Sequence, residues 1–401
     1  MSTTIGDRIR SLREFRDLTQ EELATRADVS VDTIRKLEQG VRQSARINTL
    51  RALARALDVQ LERLVGQPTV TQQLQDDGGL IALRDAIQDI GALPGVPAGD
   101  DLEDPPSEQA WVDSVKAATS QYWQGAYSQL SSTLPLLLRD GRAVARQTPT
   151  ERVWNQLALA YQLAACLATQ AGHTDWAYTA VEKQLAAAAH ASDPLMEGMG
   201  VSTLSWVLLR QGRWEQAQDI AVRKAEALEP SFMKGTPSQF AVYGNLLVAA
   251  ATPAARRDDH ARAIELLSGA EAAAVRSGPV RAYGTAFSVT DVRTQKVNIA
   301  LAGAENRPAQ ALAFAGDVRE EEISRPVHSA AYRVDVAQAQ YQTGDSEAAL
   351  STLLEVEADQ PEWIKLQALA SATVREMLEA ERRRNTPLRS LAARLGVDPT
   401  L

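Results

Sequence analysis

Between Thr19 and Gly40 the sequence permits little besides two short helices joined by a tight turn. Thr19 with Glu22 three residues on is a capping-box pattern, which starts a helix at Gln20 and carries it to about Ala27. Ser30 is the cap of a second helix, which stops at Gly40, a residue suited to the left-handed position past a C-terminus. Asp28 fills the turn between them, and aspartate tolerates the left-handed conformation better than most residues. Helices this short are not stable alone and need a shell of neighbours. The flanking sequence supplies one. Ile5, Ile9, Leu12 and Phe15 fall at helical spacing over residues 5–16. Leu50, Leu53, Ala54 and Leu57 mark a helix over 47–57, and a short fifth helix from Leu61 to Val65 stops at Gly66 and Pro68.

The chain has 401 residues, too many for one compact core. Alanine and leucine dominate, and Val and Ile never alternate over a run, so the expected fold class is all-α. Three regions follow: residues 1–66, a connector over 67–108, and a long helical region over 109–401. The connector holds one amphipathic segment, Leu80 to Ile90. It then becomes a Pro-, Gly- and acid-rich stretch over 91–107 that cannot hold a packed element.

Beyond residue 109 the same punctuation recurs. Gly172–Ala177, Gly212–Ala217, Asp258–Ala263, Asn306–Ala311 and Gly344–Ala349 each follow one apolar helix and precede another; Trp123–Tyr127 is a weaker example. The closing alanines lie 40, 46, 48 and 38 residues apart, the irregular period of a helical-repeat array. The segment from Leu388 to Gly396 reads as a terminal cap helix, and Trp154, Tyr161, Trp176 and Trp214 as repeat core.

The array resembles tetratricopeptide repeats. Trp154-x-x-Leu157-Ala158-x-x-Tyr161 fits the first half of that pattern; Gly344 to Ala349, Leu353 and Pro361 fit the second half. Every spacing exceeds the family's repeat of about 34 residues. Residues 5–66 resemble the phage-repressor type of helix-turn-helix domain, the Cro/CI or XRE family. That resemblance implies a five-helix head in which Arg13 and Glu38 form a structural salt bridge. It also implies that Gln20 and the start of its helix hold a DNA phosphate. It further implies that Ser30, the cap of the next helix, lies near phosphate. Ile34 and Leu37 share a buried face, leaving Val31, Asp32, Thr33, Arg35 and Lys36 for the major groove. Arg42, Gln43, Ser44 and Arg46 suit phosphate contacts beyond that helix.

Net charge is −9, which disfavours indiscriminate coating of nucleic acid. Residues 1–66 carry 12 Lys/Arg against 10 Asp/Glu, while the rest carries 30 against 41. The head is the less acidic end but only slightly basic, so its affinity for operator DNA needs placed contacts and two copies. The expected state is a homodimer, joined through the array, on a pseudo-palindromic operator. Head plus array resembles bacterial regulators that pair this head with a tetratricopeptide sensor. The implied role is a transcriptional regulator, a repressor by occupancy, answering to a peptide, small molecule or protein partner. Laying the repeat pattern on the helices gives Arg152, Asn155, Gln162, Trp206, Asn245, Arg293, Lys296 and Tyr341 as inner-face candidates for that effector.

Enzymatic readings fare poorly. His173, His190, His260 and His328 are far apart in sequence, and no metalloprotease, nucleophile-elbow or phosphate-loop pattern occurs. Cys166, the single cysteine, reads as a small apolar core residue, and neither a metal nor a cofactor is expected. With no apolar N-terminal core and no long apolar run, the expected location is cytoplasmic. The alternatives are an interaction scaffold with a vestigial head, and an antitoxin, which the 300 further residues disfavour.

Overall fold

Side-chain caps set the register of the N-terminal helices. The computed structural model describes residues 4–41, 45, 47–59, 64, 79–89, 105–380 and 385–399. The expected helix at 61–65 (Leu64 apart), most of the 91–107 stretch, and Arg42, Gln43, Ser44 and Arg46 lie outside the described residues. Helix α1 spans Ile5–Phe15, α2 Gln20–Ala27, α3 Val31–Glu38 and α4 Ile47–Ala56. Thr4 with Asp7 and Thr19 with Glu22 form reciprocal capping boxes on α1 and α2, and Ser30 accepts from the Thr33 amide at the start of α3. Asp28 takes φ 51° and ψ 46°, the left-handed turn expected of it.

Ile9, Leu23, Ile34, Leu37, Leu53 and Leu57 form the buried centre of this head. Gly6 lets α1 approach α3 closely, since a Cβ there would overlap the Leu37 carbonyl. One position of the α1 stripe does not behave as expected: Phe15 is 81% exposed, and Leu18, past the helix end, fills the core instead.

Most of the remaining described helices pack on their neighbours in sequence. In chain order they are α5 (Gly79–Ile87), α6 (Glu108–Gln124), α7 (Tyr127–Gln147), α8 (Glu151–Gln170), α9 (Thr174–His190), α10 (Pro194–Arg210), α11 (Trp214–Ala227), α12 (Pro237–Arg256) and α13 (His260–Ser277). After a strand pair come α14 (Val289–Ala300), α15 (Pro308–Ala315), α16 (Pro326–Gln342), α17 (Ser346–Asp359), α18 (Pro361–Lys365), α19 (Ala368–Ala380) and α20 (Thr386–Arg394). The punctuation read from sequence works through backbone geometry. Gly172, Gly212, Asp258 and Gly344 all have positive φ just where one helix must stop before its partner starts. Helix α5 packs into the array, with Leu80, Leu83 and Ile87 fully buried in the cluster that also holds Trp111 and Tyr127. The last helix, α20, is sealed by Leu388, Leu391 and Ala392 in that same cluster.

Two features shape the inner side of the array. First, the array folds back on itself: α16 packs on α6 and α18 on α7. His328 sits edge-on to Trp123 with ring centroids 4.9 Å apart, the Arg325 guanidinium lies 5.1 Å over the same ring, and Glu362 accepts from the Ser128 amide at 2.8 Å. Second, strands β1 (Val280–Ala282) and β2 (Thr285–Phe287) form an antiparallel hairpin between α13 and α14. Tyr283 and Gly284 turn it with φ of 52° and 71°, as a two-residue loop requires. Its tip reaches the inner helices: a Cβ on Gly284 would lie 2.6 Å from Leu159 and 3.1 Å from the Gln162 amide. Its base is anchored by Phe287, whose ring occupies the space that the missing Cβ of Gly244 leaves on α12.

Candidate nucleic-acid interface

The head holds α3 from behind and leaves its front exposed. Arg13 on α1 donates to both oxygens of Glu38, Nε to Oε1 at 2.7 Å and Nη2 to Oε2 at 3.0 Å; its Nη1 also donates to the Leu18 carbonyl at 2.8 Å. The two side chains are 12% and 4% exposed, so the bidentate pair is nearly dry. These bonds raise the Arg13 pKa further above its already high ordinary value. Gln20, at the start of α2, adds its amide nitrogen to Glu38 Oε2 at 2.7 Å. One carboxylate thus ties α1, α2 and α3 together. The structure gives Gln20 this bracing bond in addition to the helix start at which an anion would sit.

On the other side, Asp32, Arg35 and Lys36 are exposed, while Val31 and Thr33 are half-buried at the helix start. Lys36 pairs with Asp32 one turn away at 2.7 Å, and the Ser30 and Thr33 hydroxyls share a hydrogen bond of 2.8 Å. The face therefore offers donors, acceptors and a small apolar patch over two turns, which is the chemistry that base edges in the major groove answer.

The mount of this head was not legible in sequence. Ala372 of α19 is buried in the head's own core cluster, with Leu369 against it. Arg55 of α4 forms an ion pair with Asp258, at the turn after α12. The Asp58 carbonyl lies so close to Gly212, at the turn after α10, that a Cβ there would come within 2.6 Å. Arg16 donates to that carbonyl at 3.2 Å. Arg8 is partly buried, donates to the Leu64 carbonyl at 2.7 Å, and has its pKa lowered by burial and by the neighbouring charge of Arg375. The only hints were Gly212 and Asp258, which the repeat pattern already explained.

The eight effector candidates do not form one site. Arg152 holds Glu108 and Gln109 at the surface; Tyr341 donates to the Glu376 carbonyl. Arg293 and Lys296 share Glu271, at 2.9 and 2.5 Å. Asn155 donates to Asp193, Gln162 accepts from Gln184, and Asn245 accepts from Thr285 of the hairpin. Tyr283 bonds Asp193 from the hairpin tip, so Asn155, Gln162 and Asn245 all serve the region the hairpin fills. Of the eight, Trp206 alone lines a cavity of about 270 Å³ between α10, α12, α14 and α16.

The remaining singled-out residues pack. His173 stacks on Trp176 at 3.7 Å and His190 on Trp154 at 4.4 Å; Tyr161 is buried, and Trp154, Trp176 and Trp214 are partly so. Burial pushes the Cys166 thiol up to about 12, so it stays protonated at neutral pH. Among the described residues no His, Cys, Asp and Glu cluster is arranged for a metal, and no helix is long and apolar enough to cross a membrane.

Residues 9–64 match the family model described as Helix-turn-helix, and that segment is a helix-turn-helix domain. The immunity repressor protein of Bacillus phage phi105 is 36% identical over 72 residues, 18% of this chain and 49% of that protein. The chain therefore spans about half the length of this curated relative. Among solved structures, ComR from S. thermophilus, crystallised with DNA and its signalling peptide ComS, aligns over 89% of this chain and 99% of its own. That overlap has 12% identity and a TM-score of 0.32, too low to bear on what this chain binds.

Proposed function

We propose that this chain is a sequence-specific transcriptional regulator that binds a pseudo-palindromic operator as a dimer and represses by occupancy. The observation that carries this reading is the arrangement of α3. Its back is fixed by the Arg13–Glu38–Gln20 brace, and its front presents Asp32, Arg35 and Lys36 to solvent. The array meets the head through α4, Asp58 and the α1 side, so the mount leaves that front uncovered. The relative named as an immunity repressor supports the sense of regulation.

In this reading Val31, Asp32, Thr33, Arg35 and Lys36 face the bases, and Gln20, Ser30, Arg42, Gln43, Ser44 and Arg46 face phosphates. Asp32 accepts from cytosine N4, and Arg35 or Lys36 donates to guanine. The Lys36–Asp32 pair holds both side chains in the free protein, so opening it is part of docking. One head is small and only slightly basic, and two heads at fixed spacing supply the affinity. An effector on the array changes that spacing.

The test is a gel shift with the full chain and the variant Arg35→Ala with Lys36→Ala. Specific binding should fall at least about a hundredfold, at ~1–3 kcal/mol per lost base contact, with the helical content unchanged. An undiminished operator affinity would remove α3 as the reading element. It would leave the scaffold as the better account.

A further inference from the structure

The closed array contains a cavity that the hairpin does not fill, and its walls lead directly to the head. The cavity, about 270 Å³, lies among the successive inner helices α10, α12, α14 and α16. Trp206 and Tyr332 give it aromatic surface, and Arg210 and Arg256 give it two guanidinium groups. Asp335 is the one carboxylate in the lining; it is 7% exposed and already accepts from Asn298 Nδ2 at 3.0 Å. His328 completes the wall, its Nδ1 3.7 Å from the carboxylate of the buried Asp291.

This lining has a chemical preference. The lining carries two guanidinium groups and one carboxylate, a formal excess of positive charge. A planar fork matches a carboxylate edge in two parallel hydrogen bonds. The aromatic walls suit a flat body, and the volume sits at the small end of ligand sites. An extended peptide fits poorly, because the hairpin tip occupies the inner face at Leu159 and Gln162, and α16 and α18 close the array against α6 and α7.

The position matters as much as the chemistry. Arg210 is the last residue of α10, and Gly212, two residues on, touches the Asp58 carbonyl of the head. Arg256 is the last residue of α12, and Asp258, two residues on, pairs with Arg55 of the head. Both arginines thus stand two residues before a turn that meets the head.

We propose that this cavity is the effector site of the array and that it takes a small planar organic acid, whose carboxylate bridges Arg210 and Arg256 and so shifts the mount of the head. The proposal rests on the regulator reading above and gives that reading its ligand class.

Benzoate is the probe, titrated calorimetrically into the full chain without DNA, with benzamide as the uncharged match. The expected result is saturable binding with Kd on the order of 1 mM for so small a ligand, and benzamide at least about tenfold weaker. Arg210→Gln should weaken benzoate at least about tenfold. Thr252→Phe, which fills the cavity and keeps its charges, should abolish binding, so the site stays testable should the arginine variant fail to fold. Benzoate should also change hydrogen exchange at Arg55–Val59 and at Gly212. Absent binding, equal binding of benzamide, or benzoate binding that survives Thr252→Phe overturns the site; unchanged exchange in a benzoate-saturated chain overturns the coupling. Operator binding is measured separately. A chain that finds its operator yet ignores benzoate loses this site and keeps the regulator reading; one that takes benzoate but has no operator does the reverse.

Discussion

Replacing Glu38 with alanine removes the acceptor on which three helices of the head converge. Arg13 then keeps a charge in a site where its side chain is only 12% exposed, with two of its hydrogen bonds gone. Breaking a buried pair from one side costs about 3–5 kcal/mol. Two residual contacts place this case at the low end: the Leu18 carbonyl at 2.8 Å and Glu14 at 3.7 Å. Gln20 also loses its partner, a smaller loss because its amide carries no charge. The expected destabilisation of the head is about 3 kcal/mol, or roughly a hundredfold in its opening equilibrium. Because a chain with a large second region need not unfold in one step, global melting is the wrong readout. Native-state hydrogen exchange at the core amides of α3, Ile34 and Leu37, reports the head directly. Those amides should exchange about a hundredfold faster in Glu38→Ala. The double variant Arg13→Met with Glu38→Leu should recover most of the loss, since an apolar pair of similar volume replaces a buried ion pair at little cost. A change under about fivefold in the single variant, or a double variant as unstable as the single, would show that the brace is not what holds α3.

Other outcomes follow from the same geometry. Gly6→Ala pushes a methyl into the Leu37 carbonyl and should cost the head at least about 2 kcal/mol by the same exchange measurement. Asp28→Gly should stabilise the head by about 0.5–1 kcal/mol at its left-handed turn, and Asp28→Val should destabilise it by about 1–2 kcal/mol. Arg55→Ala should leave the melting of the array unchanged while speeding exchange at Asp58 and Val59, because the Asp258 pair holds the mount rather than either fold. Thermal stability should fall in two stages as pH drops. Burial lowers the pKa of His173 and His260, so the unfolded chain takes up protons first and stability is lost below about pH 6.5. Asp291 is held below its ordinary value by His328, Ser288 and Ser324 despite its burial. Its contribution is complete above about pH 4 and lost below that, as pH falls through its folded pKa. Melting curves between pH 3 and 8 separate the two stages.

The head was largely legible because local rules fix it. Thr19, Glu22, Asp28 and Ser30 act on their own backbone within one turn, and each does in the structure what its position implies. Phe15 was misread because a helical stripe shows the face and not where the core ends. In the array, Gly172, Gly212, Asp258 and Gly344 marked the helix ends correctly because positive φ is a local demand. What sequence could not show were contacts between distant segments. Arg325 over Trp123 and Glu362 on the Ser128 amide close the array, and neither leaves a periodic trace. Two strands of three residues are too short to alternate visibly, and Tyr283-Gly284 is not among the strong hairpin pairs. The separation of the effector candidates into several neighbourhoods was hidden for the same reason. The repeat pattern places a residue on an inner face but does not say that the chain's own hairpin already lies there.

The account stands or falls on whether the head selects a DNA sequence. Genome-wide binding of the full chain, followed by a gel shift of the recovered fragment at two salt concentrations, tests this most directly. The account predicts one two-fold symmetric site with half-sites about 10 base pairs apart, bound at least about 10³ times more tightly than random DNA at both salts. The contradicting result is no enriched site, or binding that fades equally for every sequence as salt rises.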